Sequence, residues 1–165
     1  MSVYKSLRNK SNIKFLQDIR KLRALCFRLI LRIPKRCRRY FEATILDYCN
    51  TISMCLHNAD SVYINRNCNE NFFDLREIYF EKAKINLKSL SSEMDFLYDV
   101  IREDNVGFDT KADMDKKFNT LTDLISDLLK EVETVMKRDR EKRIRWNKNV
   151  HNELNTEISK VLTSD

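Results

Sequence analysis

Residues that make tight turns are nearly missing from this sequence. Its 165 residues include one glycine, Gly107, and one proline, Pro34. Short hairpins depend on glycine, asparagine and proline at defined turn positions, so a fold built from many short strands is disfavoured. The sequence therefore predicts an all-α protein, and its length is typical of one compact domain.

The arrangements of residues that carry catalysis or bind metals are also missing from the sequence, and histidine is scarce. Neither of the two histidines, His57 and His151, follows a glutamate at the spacing of di-iron bundles, and there is no glycine-rich phosphate loop. Cys55 and His57 lie two residues apart, so on a helix they point about 200° away from each other and do not pair as thiolate and imidazole. We therefore expect no enzymatic activity, no catalytic residue, no cofactor and no metal site.

Cysteine usage and hydropathy indicate the compartment. The five cysteines are an odd number without a C-x-x-C pair, and three lie within apolar helical patterns. This favours reduced thiols that serve as small core residues in the cytosol. The most hydrophobic stretch, residues 22–33, contains three arginines and is shorter than the roughly 20 apolar residues of a membrane span. We expect a soluble, cytoplasmic protein without a membrane segment.

Positive charge is concentrated at the amino terminus. The first forty residues hold thirteen Lys or Arg and one acid, Asp18, whereas residues 41–135 hold ten bases and nineteen acids. Residues 136–165 hold eight bases and five acids. Charge of one sign on a folded surface costs self-repulsion, which a bound polyanion relieves. The asymmetry predicts that the first quarter of the chain contacts nucleic acid phosphates without reading base sequence.

The first predicted helix combines a core face with a cationic stripe. It begins after Ser11, its predicted N-cap, and apolar residues recur at spacings of three and four. The predicted core residues are Phe15, Leu16, Ile19, Leu22, Cys26, Leu29, Ile30 and Ile33. The stripe on the opposite side consists of Lys14, Lys21, Arg28, Arg32 and Lys35.

A second helix is predicted from about Pro34 to Tyr63, because proline suits the first turn of a helix. Its predicted core residues are Phe41, Ile45, Tyr48, Ile52, Cys55, Leu56, Ala59 and Val62. Its first turn carries Lys35, Arg36, Arg38 and Arg39. Cations at a helix N-terminus oppose the macrodipole at a cost of up to about 1 kcal/mol each. A bound anion explains this arrangement better, so residues 34–39 form the best single candidate site.

Two more helices follow, separated by loops around Asn65–Asn71 and Gly107. The third is predicted from about Phe72 to Glu103, with Leu75, Tyr79, Ala83, Leu87, Leu90, Met94, Leu97 and Ile101 in the core. The fourth has Met114, Phe118, Leu121, Ile125, Leu128, Val132 and Val135 in the core. We expect an up-down-up-down four-helix bundle over residues 1–136 and a basic, partly helical carboxyl-terminal extension over residues 137–165.

Two features of the sequence support other hypotheses. Some aromatic residues lie outside a single core stripe and would serve an interface between subunits; these are Phe73, Phe80, Phe96 and Tyr98. Residues 137–150 are either an ordinary charged helical extension or an arm that folds on nucleic acid, with Trp146 stacking on a base.

The chain resembles a family of small four-helix proteins that includes the accessory variability determinant (Avd) of diversity-generating retroelements and the ribosomal-RNA intervening-sequence proteins. The similarity lies in five segments between residue 2 and about residue 136: SVYKSLRNKS, KFLQDIRKLR, RIPKRCRRYF, HNADSVY and DLREIYFEKAKINLKSL. The resemblance implies a homopentameric ring of bundles whose basic surface binds a reverse transcriptase and its template RNA. The segment 137–165 is longer than the family's usual ending.

By this resemblance the basic helix and turn make the nucleic-acid contacts, at Lys14, Lys21, Arg28, Arg32, Lys35, Arg36, Arg38 and Arg39. The leading hypothesis is a non-enzymatic accessory subunit of a reverse transcriptase that binds template RNA and possibly cDNA. The alternative is an oligomeric scaffold or regulator that binds an acidic protein partner without nucleic acid.

Overall fold

The computed structural model of the protein describes residues 14–64, 69–104, 108 and 110–162, with side chains as far as Asn152 in the last helix. These residues form four helices: α1 (Lys14–Arg32), α2 (Lys35–Ser61), α3 (Glu70–Asp104) and α4 (Lys111–Leu162). The predicted N-cap Ser11, the loop residues Asn65 and Asn67, and Gly107 lie outside the described residues.

The four helices form an up-down-up-down bundle with a charged carboxyl-terminal helical extension. Each helix packs against the next one along the chain, and α4 also packs against α1, which closes the ring. Neighbouring helices run antiparallel: Lys14 at the start of α1 pairs with Glu131, and Arg32 at its end pairs with Asp113. The predicted fold class is confirmed.

The core stripes of α1 and α2 follow the prediction. All eight predicted core residues of α1 are at most 3% exposed. In α2 six of the eight are buried, while Tyr48 and Val62 are half-buried. Full burial of one large aliphatic side chain contributes about 1.5–3 kcal/mol to folding, so these two stripes account for much of the bundle's stability.

The start of α3 differs from the prediction. Leu75, predicted in the core, is 40% exposed, whereas Phe73 and Phe80, predicted outside it, are 4% and 1% exposed. Phe73, Phe80 and Leu87 are spaced seven residues apart, so they form one row along the helix. Phe80 meets Phe15 of α1 edge to face, with ring centroids 5.9 Å apart. This contact with another helix selects the stripe that is buried.

The proposed subunit-interface aromatics therefore divide into two groups. Phe73 and Phe80 belong to the interior and are not available for an interface. Phe96 is 58% exposed and packs against Phe41 with centroids 5.4 Å apart. Tyr98 is half-buried and its hydroxyl donates a hydrogen bond to Asp115 at 2.7 Å, which raises its pKa. Of the four, Phe96 presents the largest open apolar surface.

The last helix is longer than predicted. The apolar pattern weakens after Met136, yet α4 continues without a break to Leu162. Residues 137–146 pack along the start of α3, where Arg143 pairs with Glu70 and Asp74. Trp146 packs against Phe73 with ring centroids 6.1 Å apart. These contacts stabilise a helix whose own apolar spacing is weak, and they place Trp146 against the protein instead of on a free arm.

Candidate nucleic-acid interface

The turn between α1 and α2 is held by Arg38. Its Nε donates to the carbonyl of Ile30 at 3.0 Å, and one terminal nitrogen donates to the carbonyl of Leu31 at 2.6 Å. These carbonyls belong to the last turn of α1, which lacks helical partners of its own. Arg38 was predicted to contact nucleic acid, but its guanidinium is used to cap α1 and to hold the turn.

Three of the predicted cations are paired with the protein's own carboxylates. Lys21 contacts Asp18 at 2.6 Å, and Lys14 pairs with Glu131 and lies 3.8 Å from Asp18. Asp18 is only 3% exposed although it is charged. Arg32 pairs with Asp113 of α4 at 3.2 Å. These pairs reduce the positive potential along the α1–α4 side of the predicted stripe.

The other predicted cations are open to solvent. Arg28, Lys35 and Arg39 are exposed, and none of them has an ion pair with a carboxylate in the described part of the chain. Arg36 is exposed too. Of the eight predicted contacts, all but Arg38 are exposed, and Arg28, Lys35 and Arg39 are exposed without an ion pair to a described carboxylate.

The exposed residues of the first two turns of α2 form one surface, which we refer to as the basic corner: Lys35, Arg36, Arg39 and Tyr40. Pairs four residues apart share a helix face, so Lys35 lies beside Arg39, and Arg36 beside Tyr40. Tyr40 is 79% exposed. The first turn contains no acid, and Pro34 at the N-cap position provides no side-chain cap. The helix dipole and the side chains of Lys35 and Arg39, unpaired among the described residues, therefore add to a positive potential at one place.

Two further cations, in the middle of α1, were not predicted as contacts. Arg20 is exposed without an ion pair among the described residues. Arg23 donates hydrogen bonds to neutral partners, Asn50 at 2.8 Å and Ser53 at 3.4 Å, so its charge is not cancelled. Both lie on the flank of α1 that faces α2. Only cations directly opposite the core residues were predicted from the sequence, so these two were not included. Both positions lie outside the apolar stripe, which is the feature of the sequence that could have identified them.

The thiols between α1 and α2 belong to the core. Cys26 of α1 and Cys49 of α2 are buried and free. A hydrogen bond between them raises the pKa of Cys26 and lowers the pKa of Cys49, which the nearby Arg23 lowers further. Cys37 and Cys55 are also buried free thiols. All four act as small apolar residues, as the sequence predicted.

Two arginines of the carboxyl-terminal extension, Arg140 and Arg143, are arranged differently. Arg140 donates to Glu77 at 2.5 Å, and Arg143 donates to Asp74 at 2.6 Å and to Glu70 at 2.8 Å. These hydrogen bonds raise the pKa of both arginines above the ordinary value. We refer to these two arginines and three acids as the paired region. Its positive charge is largely cancelled within the molecule.

The described part of the chain contains neither a candidate metal cluster nor a membrane-spanning helix. Within those residues, no three His, Cys, Asp or Glu side chains come together in a way that could hold a metal ion. No helix there has both the length and the apolar sequence needed to cross a bilayer.

In comparisons with known proteins, no family model, curated protein or solved structure matches the chain. The resemblance to the Avd family thus stays a hypothesis based on the quoted segments.

Proposed function

We propose that this protein is a non-enzymatic nucleic-acid-binding subunit whose basic corner contacts the phosphates of an RNA. The observation that carries the proposal is the exposure of Lys35, Arg36 and Arg39 on one short helical segment. Lys35 and Arg39 have no carboxylate partner among the described residues. Contacts of this kind supply affinity and orientation without base recognition.

Tyr40 adds a second kind of contact to the basic corner. Its ring is 79% exposed and lies beside three cations. Aromatic rings that flank a basic surface stack on unpaired bases, and each stacked base contributes about 1–3 kcal/mol. We therefore propose that the corner prefers RNA with single-stranded or looped nucleotides over a plain duplex.

The proposed context is an accessory role for a reverse transcriptase, as the resemblance implies. In that context the RNA is a template, cDNA is a possible second ligand, and the protein assembles as a homopentamer. Exposed apolar side chains such as Ile85, at 62%, and Phe96, at 58%, offer surface for protein contacts of this kind.

The test is a binding measurement with a variant that removes the corner's charge. Lys35→Ala, Arg36→Ala and Arg39→Ala, combined, should weaken binding of a fluorescein-labelled stem-loop RNA by roughly 10- to 100-fold at low salt. Fluorescence anisotropy over a salt series should also show a flatter dependence of log K on log salt, by about 0.9 for each phosphate that the variant no longer neutralises.

The matched control removes three exposed lysines from other faces of the bundle, which are Lys82, Lys88 and Lys137. It changes the net charge by the same amount, so it should lower the RNA affinity only slightly, through a weaker long-range electrostatic attraction. Equal affinity of the two triple variants, or no loss in the corner variant, would show that the corner is not the binding site.

A second function is favoured by the apolar residues of α1. Phe27 and Leu31 are 49% and 52% exposed and lie beside the open cations Arg20 and Arg28. This mixture suits a scaffold or regulator that binds an acidic protein without nucleic acid. A protein that is oligomeric by light scattering, yet binds neither RNA nor DNA at low salt, would favour this alternative.

A further inference from the structure

A groove lies between the end of α1 and the start of α4, whereas the basic corner is on α2. Leu25 and Leu29 of α1 and Leu121 of α4 line it, and its volume is about 620 Å³. Leu29 and Leu121 are 3% and 2% exposed, and Leu25 is half-buried. Binding sites for small ligands and short segments commonly have volumes of about 300–1,000 Å³. The groove is therefore large enough for a ligand with an apolar side.

The rim of the groove is cationic. Arg28 of α1 and Lys116 of α4 are exposed and have no ion pair with a carboxylate of the described chain. Lys117 and Arg32 both pair with the same acid, Asp113, and lower its pKa. Four cations thus face one ionised carboxylate, and the surplus positive charge lies directly beside apolar side chains.

We propose that this groove binds an acidic amphipathic segment of a partner protein. Leu25 and Leu29 are one helical turn apart, and from Leu25 to Arg32 the groove follows α1 for about 10 Å, or two turns. Apolar residues three or four apart on the segment would cover this floor. Aspartate or glutamate residues beside them would pair with Arg28 and Lys116, where charge complementarity is available.

Nucleic acid fits the groove less well. None of the described residues that line it is aromatic, so a base has no ring on which to stack. A sugar-phosphate backbone would also leave the leucine floor uncovered, because it has no comparable apolar surface. The groove is a separate site from the basic corner, so a segment can bind in the groove whether or not RNA binds at the corner.

The test uses a fluorescein-labelled 12-residue peptide of leucine, aspartate and glutamate, with the leucines spaced three and four apart. At physiological salt the wild-type protein should bind it, and Arg28→Glu with Lys116→Glu should weaken binding by at least about tenfold. Lys116→Arg alone keeps the positive charge, so this variant should retain most of the wild-type affinity for the peptide. The charge-matched control, Lys82→Glu with Lys88→Glu, should bind like the wild type.

Two further probes separate the groove from a simple charge effect and from the corner. A peptide of the same composition without the leucine spacing should bind at least about tenfold more weakly, because only the ordered stripe covers the floor. The corner triple variant should bind the peptide like the wild type. The proposal is wrong if the two peptides bind equally, if the wild type binds neither, or if stem-loop RNA displaces the peptide from the corner variant.

Discussion

Two parts of this molecule contain clustered cations, the basic corner and the paired region. In the corner, Lys35 and Arg39 project from the start of α2 without an ion pair to a described carboxylate. In the paired region, Arg140 and Arg143 lie against three acids of α3. The difference arises from topology, because α3 runs antiparallel to α4 and brings an acidic face to those arginines. Local charge density alone does not say which cations are available to a ligand.

The two regions also differ in what their charges contribute to the fold. Exposed ion pairs stabilise a protein by about 0–1 kcal/mol each, so the paired region gains a little stability and loses its external field. The corner keeps its field, and its cations repel one another and the dipole of α2. A bound polyanion would remove that repulsion, which is why we place binding at the corner.

The largest expected effect concerns the packing that supports the paired region. Phe80 is 1% exposed, and the guanidinium of Arg76 lies 5.4 Å from the centre of its ring. Phe80→Ala should lower the free energy of unfolding by about 3–5 kcal/mol, since it leaves a cavity between α1, α3 and α4. Urea unfolding followed by circular dichroism measures this loss.

Leu75→Ala is the control for that substitution, because the sequence pattern placed Leu75 in the core and the structure leaves it 40% exposed. We expect it to lower the free energy of unfolding by less than about 1 kcal/mol. Similar losses for the two variants would mean that the start of α3 packs on the stripe predicted from the sequence.

Helix positions and most core residues were predictable because one face of each helix must be buried. The apolar residues of α1 and of α2 each allow one buried face at helical spacing; the prediction was confirmed for all eight residues of α1 and for six of the eight of α2. The start of α3 has two, since Leu75 and Phe73 lie on alternative rows. The choice depends on Phe15, which lies far away in sequence and meets Phe80. Local periodicity carries no information about such a contact.

The candidate site was predictable only in part, for the same reason. The concentration of cations in residues 14–39 is visible in the sequence. Their partners are not, because Lys14 pairs with Glu131, which is 117 residues away. The capping role of Arg38 was also missed, although it depends on the geometry of one turn and not on a distant helix. Seven of the eight predicted contacts are exposed, but Lys14, Lys21 and Arg32 pair with the protein's own acids, and the half-buried Arg38 holds the turn.

An intermediate effect is expected when the paired region is made to resemble the corner. Glu70→Gln, Asp74→Asn and Glu77→Gln, combined, remove the acids closest to Arg140 and Arg143 and leave, of their partners in the described chain, only Glu81, which lies 3.8 Å from Arg140. Release of Arg143 and partial release of Arg140 should raise the affinity for stem-loop RNA up to about tenfold at low salt and steepen the salt dependence by roughly one to two counterions. Anisotropy titrations at several salt concentrations measure both quantities.

The control for this gain neutralises three exposed acids that hold no cation in the described chain, Asp95→Asn, Asp99→Asn and Asp123→Asn. It adds the same net charge without releasing an arginine. An equal rise in RNA affinity in the control would mean that net charge, and not unpairing, sets the affinity. The distinction between the two regions would then carry no functional meaning.

The smallest expected effect concerns Asp18, the acid within the basic first quarter of the chain. It holds Lys21 at 2.6 Å and lies 3.8 Å from Lys14, which also pairs with Glu131. Asp18→Asn should release Lys21 and leave Lys14 mostly paired, so RNA affinity should rise only about two- to threefold at low salt. Asp47→Asn, at an exposed position on α2, adds the same charge and should change affinity less. A tenfold gain from Asp18→Asn would instead extend the binding surface along α1, whereas no gain beyond that of Asp47→Asn would confine it to the first turns of α2.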